Sequence, residues 1–240
     1  MKTLIAIIGC MTYAKKGWHQ VCRSTFIPEV SKYPGLDYRF FIGDNTPSME
    51  KYDDEVAIQA SCGGLDRTRG IDYGAKCRQT TADTAQMTHY WPQTDEVILK
   101  CEDDFAHLPI KLRGMIRWAL DNNYDYFLRL DSDTYVDVGR YMASGFPLYE
   151  AVAHPHFGGG CGWTLGKRAM IYLATEPVSS FIDEVWAGRC LVRNQVVVHP
   201  DTRYSDLDNN MPQDFVTAHC GWKAGYEPQR MYDLHKRLRG

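Results

Sequence analysis

The chain contains no apolar run near the roughly 18 residues of a membrane-spanning helix, which excludes a helical membrane anchor within it. Its opening run Leu4–Ile8 is shorter than the roughly 7–15 residues of an export-signal core. That run ends at Gly9 and reads as a buried strand. A soluble, cytoplasmic protein without a signal peptide is the expectation. No CxxC pair occurs among the eight cysteines, which argues against a zinc cluster or a thioredoxin-type site. With no export signal, the cysteines are expected as free thiols. A marked charge excess is also missing: the formal net charge is -3, giving no general attraction to nucleic acid or anionic membrane. There is no internal repeat, linker or low-complexity block, so residues 1–240 are read as one domain. What remains is an ordinary globular composition, 44% hydrophobic and 24% charged, in a chain long enough to bury a core unaided.

Short apolar runs predict strands over Thr3–Ile8, Tyr38–Ile42, Glu96–Lys100 and Tyr124–Leu130, with a further short strand over Val196–His199. Helical spacing predicts helices over Trp18–Val30 and Ile110–Asn122, the second started by Pro109 and ended by Asp121, Asn122 and Asn123. A polar stretch over Gly70–His89 could hold another helix, and Met231–Arg239 a last basic one. Pro155–Trp163 is glycine-rich and reads as a loop, and the chain after Asp201 as polar loop. The alternation of strand and helix predicts an α/β fold with a mixed, mostly parallel central sheet flanked by helices. In such sheets ligands gather at the carboxyl ends of the strands.

The strongest chemical signal lies at such an end. The apolar strand Y-D-Y-F-L-R-L at 124–130 runs into Asp131-Ser132-Asp133. Two carboxylates at i and i+2 can converge on one hard cation, and Mn²⁺ or Mg²⁺ held that way can bridge to phosphate oxygens. Asp and Ser also favour plain turns, so the motif gains its meaning from the strand that delivers it.

With this motif go several others in a fixed order. E-D-D-F-A-H-L-P-I-K at 102–111 precedes a helix containing Trp118. G-G-G-C-G-W-T-L-G-K at 158–167 and D-E-V-W-A-G at 183–188 follow the acidic strand, and R-S-T-F at 23–26 follows the first strand. Together they resemble glycosyltransferase family 31, the group of β-1,3-galactosyltransferases, core-1 synthases and Fringe. The resemblance spans roughly residues 3–220. It implies a single GT-A (Rossmann-like) catalytic domain that moves a hexose from a UDP-sugar to an acceptor hydroxyl, with inversion, using Mn²⁺ or Mg²⁺. The stem and membrane anchor usual in that family are not seen, so the chain resembles a bare catalytic domain.

By the same resemblance Asp131 and Asp133 are metal ligands, and His219 a third, with His199 as its competitor. Glu184 stands where the family has its base, with Asp183 as the alternative, because the two acids are exchanged relative to the family order. Ser132 replaces a frequent third Asp. Arg23 is a candidate nucleotide contact or a surface salt bridge. Asp103 and Asp104 would orient the donor sugar or start a helix. Lys111 would support the phosphate side or be a solvated helix lysine. Gly158, Gly159 and Gly160 would let backbone approach the substrate, and Trp163 would stack on a sugar or fill the core. The acceptor stays open among a glycan, a lipid-linked saccharide, a protein and a modified nucleic-acid base. The alternatives are a retaining GT-A transferase of another family and a non-catalytic nucleotide-sugar or glycan-binding domain.

Overall fold

A computed structural model describes residues 1–46, 65–66, 71–72, 91–155, 160–207, 211–221 and 227–239. The first half runs β1 (Thr3–Ile8), α1 (Met11–Lys15), α2 (Trp18–Ser24), α3 (Ile27–Val30), β2 (Leu36–Gly43), β3 (Leu65–Asp66), β4 (Ile71–Asp72) and β5 (Glu96–Leu99). Then come α4 (Leu108–Asp121), β6 (Tyr126–Asp131), β7 (Thr134–Val136), α5 (Val138–Ala143), β8 (Ala151–Ala153) and β9 (Trp163–Gly166). The rest is α6 (Lys167–Thr175), α7 (Asp183–Arg193), β10 (Val198–Pro200), β11 (Tyr204–Asp206), β12 (Thr217–His219) and α8 (Gln229–Arg239).

The main sheet has seven strands in the order β10-β8-β9-β6-β1-β2-β5. Strands β6, β1, β2 and β5 pair in parallel, β10 pairs in parallel with β8, and β9 alone runs against its neighbours. The sequence TLIAII explains why β1 sits at the centre: both of its faces are apolar. Leu4, Ala6 and Ile8 face a core completed by α4, α6 and α7. Ile5 and Ile7 face a second core, made with α2, α3, α5 and α8. The sheet is thus covered by helices on both sides, and the mostly parallel α/β arrangement expected from the sequence is present. A second sheet has the order β11-β12-β7. No helix among the described residues is long and apolar enough to cross a membrane.

The helix expected over residues 18–30 is broken in two. Pro28 has no N–H to give and its ring collides with the preceding turn, so one helix cannot run through it. Thr25 takes the break, with φ −112° and ψ −87°, and its Oγ1 donates to the Val21 carbonyl at 2.7 Å. The segment after Asp201, read as loop, contributes β11 and β12 to the second sheet. Three-residue strands are too short to carry a visible alternation. Trp163, placed in a loop from sequence, opens β9. The turn before it needs glycine: Gly162 has φ +84°, and a Cβ there would stand 2.7 Å from Leu130 Cδ2. The helix proposed over residues 70–89 lies outside the described residues. The six described cysteines are buried free thiols.

Candidate active site at the carboxyl ends of the strands

From β1 the chain builds outward through β2 and β5, then returns to place β6 on the other side of β1. The gap above β1 and β6 is therefore a point where the winding direction reverses, the usual ligand crevice of such sheets. Asp131 is the last residue of β6, in register with Ile8. The Ser132 amide donates to the Ile8 carbonyl at 3.1 Å, and β7 starts at once at Thr134. Strand β12 pairs antiparallel with β7 and sets His219 opposite Thr134. Through this pairing a residue far along the chain reaches the acidic turn.

Asp131, Asp133 and His219 each offer one ligand atom, all within 4.8 Å of one another. His219 Nε2 is 3.3 Å from Asp133 Oδ1, while Nδ1 faces Asp206 Oδ2 at 3.9 Å. Two glycines make room. A Cβ on Gly160 would lie 2.6 Å from both Asp131 Oδ2 and His219 Nε2, and one on Gly221 would lie 2.0 Å from Asp133 Oδ2. Burial pulls the His219 ring toward neutrality, but the charge and hydrogen bond of Asp133 outweigh it and raise the pKa to about 10. The Asp131 carboxyl is raised by burial and by Asp133, against the opposing pull of Arg129.

Arg129 extends the cluster. It lies two residues before Asp131 on β6 and is 1% exposed. Its Nη2 is 2.9 Å from Asp131 Oδ1 and donates to Asp183 Oδ2 at 2.8 Å. Asp183 is the first residue of α7 and is buried, whereas Glu184 beside it is half-buried. Burial and the neighbouring Asp183 charge push Glu184 up to about 8, against the opposing pull of Arg129. Among the described residues the site thus collects five carboxylates, Asp206 included, around one guanidinium and one imidazole.

A second buried ionic group stands beside it. Asp103 Oδ1 accepts from the Gly43 amide at 2.8 Å and from Lys111 Nζ, and Oδ2 accepts from the Met11 amide at 2.7 Å. Lys111 Nζ also donates to the Gly9 carbonyl at 2.9 Å. The pair therefore ties the carboxyl ends of β1 and β2 to the start of α1. Lys111 is a buried clamp residue, not the solvated lysine its helix position permitted.

The remaining sequence candidates fall elsewhere. Arg23 forms a bidentate pair with Asp95 (2.9 and 2.7 Å) and a further bond to Glu96, and lies over the Phe40 ring. This is the salt-bridge alternative. Asp104 Oδ1 accepts from the His107 amide at 3.0 Å at the start of α4, its helix-start alternative. Ser132 is fully buried, its carbonyl accepting from Cys22 Sγ at 3.2 Å and its Oγ without a hydrogen-bond partner among the described residues. Trp163 is 1% exposed within the core and has no face to offer a sugar. His199 sits on β10 against the Tyr149 ring, 4.0 Å between centroids, and is not part of the ligand cluster. Gly158 and Gly159 lie outside the described residues.

Arg129, Asp206 and Gly221 were missed from sequence. For Arg129 a signal existed: a charge inside the otherwise apolar strand YFLRLD needs a buried partner. Nothing in the sequence marks Asp206 or Gly221, whose roles depend on strand pairing.

No protein-family model matches the chain, and no curated protein matches it in sequence. Among solved structures, the chain is similar to a glycosyltransferase involved in glycosylation of the major capsid of PBCV-1. Identity is 12%, coverage 97% of this chain and 99% of that one, and the TM-score 0.47. It is also similar to the galactosyltransferase LgtC, solved with donor and acceptor sugar analogues, at 12% identity, 100% and 97% coverage and TM-score 0.44. A third is described as a nucleotide-diphospho-sugar transferase from Desulfovibrio desulfuricans G20, at 11% identity, 84% and 80% coverage and TM-score 0.44. The resemblance to family 31 in particular rests on the sequence blocks alone.

Proposed function

We propose that residues 1–240 form one GT-A catalytic domain, a cation-dependent glycosyltransferase that moves a hexose from a UDP-sugar to an acceptor hydroxyl with inversion. The observation that carries this is the convergence of Asp131, Asp133 and His219 at the strand-order reversal, next to the acid pair that opens α7. The donor set fits a divalent cation. Two carboxylates and an imidazole suit Mn²⁺ or Mg²⁺ beside phosphate oxygens, and Gly160 and Gly221 supply the space. Asp131, Asp133 and His219 would hold the ion, which when bound neutralises the charge developing on the departing diphosphate.

The protein's own part is binding and proton handling. His219 must give up its Nε2 proton to act as a ligand, while Asp206 on the other ring nitrogen steadies the imidazole. Glu184 is the proposed base, with Asp183 as its buried neighbour. A carboxyl held near neutral pH accepts a proton from a hydroxyl better than an ordinary carboxylate does, once it is ionised. The Asp103–Lys111 clamp fixes the Gly9 and Gly43 ends of β1 and β2, the floor on which a nucleotide would rest.

The test is a calorimetric titration of UDP, GDP and CDP with Mn²⁺ and then with EDTA, followed by turnover with UDP-galactose, UDP-glucose and UDP-N-acetylhexosamines. UDP binding that EDTA abolishes, with sugar transfer or donor hydrolysis, is the expected outcome. Binding without turnover would favour a non-catalytic nucleotide-sugar domain. Preference for GDP or CDP would break the link to UDP-sugars, and no nucleotide binding would overturn the reading.

A further inference from the structure

The Asp131 carboxylate has two oxygens facing two ways. Oδ1 is 2.9 Å from Arg129 Nη2, whereas Oδ2 faces the space beside Gly160 that His219 Nε2 also borders. The same Nη2 donates to Asp183 Oδ2. Arg129 is 1% exposed, and its Nε and Nη1 have no hydrogen-bond partner among the described residues. A guanidinium that leaves two buried donors unmatched to hold two carboxylates from different elements is an expensive arrangement for packing alone.

Building on the cation reading above, we infer that Arg129 is a positioning residue. Through Nη2 it turns Asp131 so that Oδ2 faces the cation, and it fixes that carboxylate relative to the Asp183–Glu184 pair at the head of α7. One side chain thereby sets the spacing between the diphosphate side and the acceptor side. Outer partners of metal ligands act in this way, and losing one lowers metal affinity roughly 10–100-fold.

The experiment titrates Mn²⁺ into wild type, Arg129→Met and Arg129→Lys with saturating UDP, following the free-ion electron paramagnetic resonance signal, with a thermal melt of each variant. Lysine keeps the charge, but its ammonium stops one bond short of the Nη2 position. Arg129→Met is expected to bind Mn²⁺ roughly 10–100-fold more weakly, and folded Arg129→Lys roughly tenfold more weakly. If Arg129→Met does not fold, the lysine variant decides. Affinity within twofold of wild type in the folded variants would overturn the inference. Full rescue by lysine would too, since charge alone would then suffice. Wild type that binds no Mn²⁺ would instead overturn the functional reading on which the inference rests.

Discussion

Two buried ionic groups sit at the carboxyl ends of adjacent strands, and they differ in how fully their charges are matched. In the Asp103–Lys111 group, one carboxylate meets one ammonium and the amides of Gly43 and Met11. Its charges cancel, and its bonds join three pieces of backbone. In the other group, among the described residues, Asp131, Asp133, Asp183, Glu184 and Asp206 outnumber Arg129 and His219, and Glu184 is pushed up to about 8. Carboxylates crowded beyond their counter-charges are held there at the expense of stability. The first group reads as architecture, and the second holds the three residues placed to share a cation in the proposed function. The sequence reading had made Asp131 and Asp133 metal ligands and Glu184 or Asp183 the base, and had left Asp103 and Lys111 open between substrate contacts and plain helix residues.

The sharpest way to break this contrast is to cut the matched group. Lys111→Met takes the ammonium away from the buried Asp103 carboxylate. It should lower unfolding stability by about 3–5 kcal/mol, read as a shift in the urea midpoint. If the midpoint hardly moves, the clamp is not structural. Next in size is Asp133→Ala. It should weaken Mn²⁺-dependent UDP binding about a hundredfold by calorimetry, because it removes one ligand of the shared cation. Unchanged binding would remove Asp133 from the ligand set. Gly160→Ala places a methyl 2.6 Å from Asp131 Oδ2, so roughly tenfold weaker Mn²⁺ binding is expected, again by calorimetry. Wild-type affinity there would mean that the space beside Gly160 is not where the cation sits.

The smallest effect sharpens the comparison through pH. Glu184 has its carboxyl raised above the ordinary value, so the folded state holds its proton longer than the unfolded chain does. Wild type therefore loses stability as pH rises from about 4.5 toward about 8, and Glu184→Gln escapes that loss. The variant should melt at nearly the wild-type temperature at pH 4 and a few degrees higher at pH 8. Its turnover should fall with UDP binding unchanged, and the wild-type rate should climb with pH as the carboxyl ionises. Turnover retained in Glu184→Gln would point away from Glu184 as the base and toward a retaining transferase.

How much of this was legible in the sequence depended on where the information lies. β1 was readable to the residue, because an apolar run buried on both faces needs no context. The apolar strand running into Asp131-Ser132-Asp133 was readable for the same reason, and His219, which the structure sets beside those two acids, was named by resemblance. The break at Pro28 was also present in the letters, but the helical spacing around it outweighed it. What could not be read came from pairing between distant segments. Trp163 looks alike on a sugar or in a core, and Arg23 looks alike on a nucleotide or on Asp95. Only the strands and helices around each decide. Strands β11 and β12 carry no alternation of their own, yet they deliver Asp206 and His219.

The pairing of β12 with β7 brings one further consequence. His219 lies opposite Thr134, and side chains alternate from one face of a strand to the other. Loss or gain of a single residue in β12 would bring Ala218 or Cys220 to that place and swing the imidazole to the opposite side. The place of His219 beside Asp131 and Asp133 is therefore more vulnerable to a change in chain length than to most substitutions around it. In any kindred chain, spacing along this short ribbon should be guarded as closely as the histidine itself.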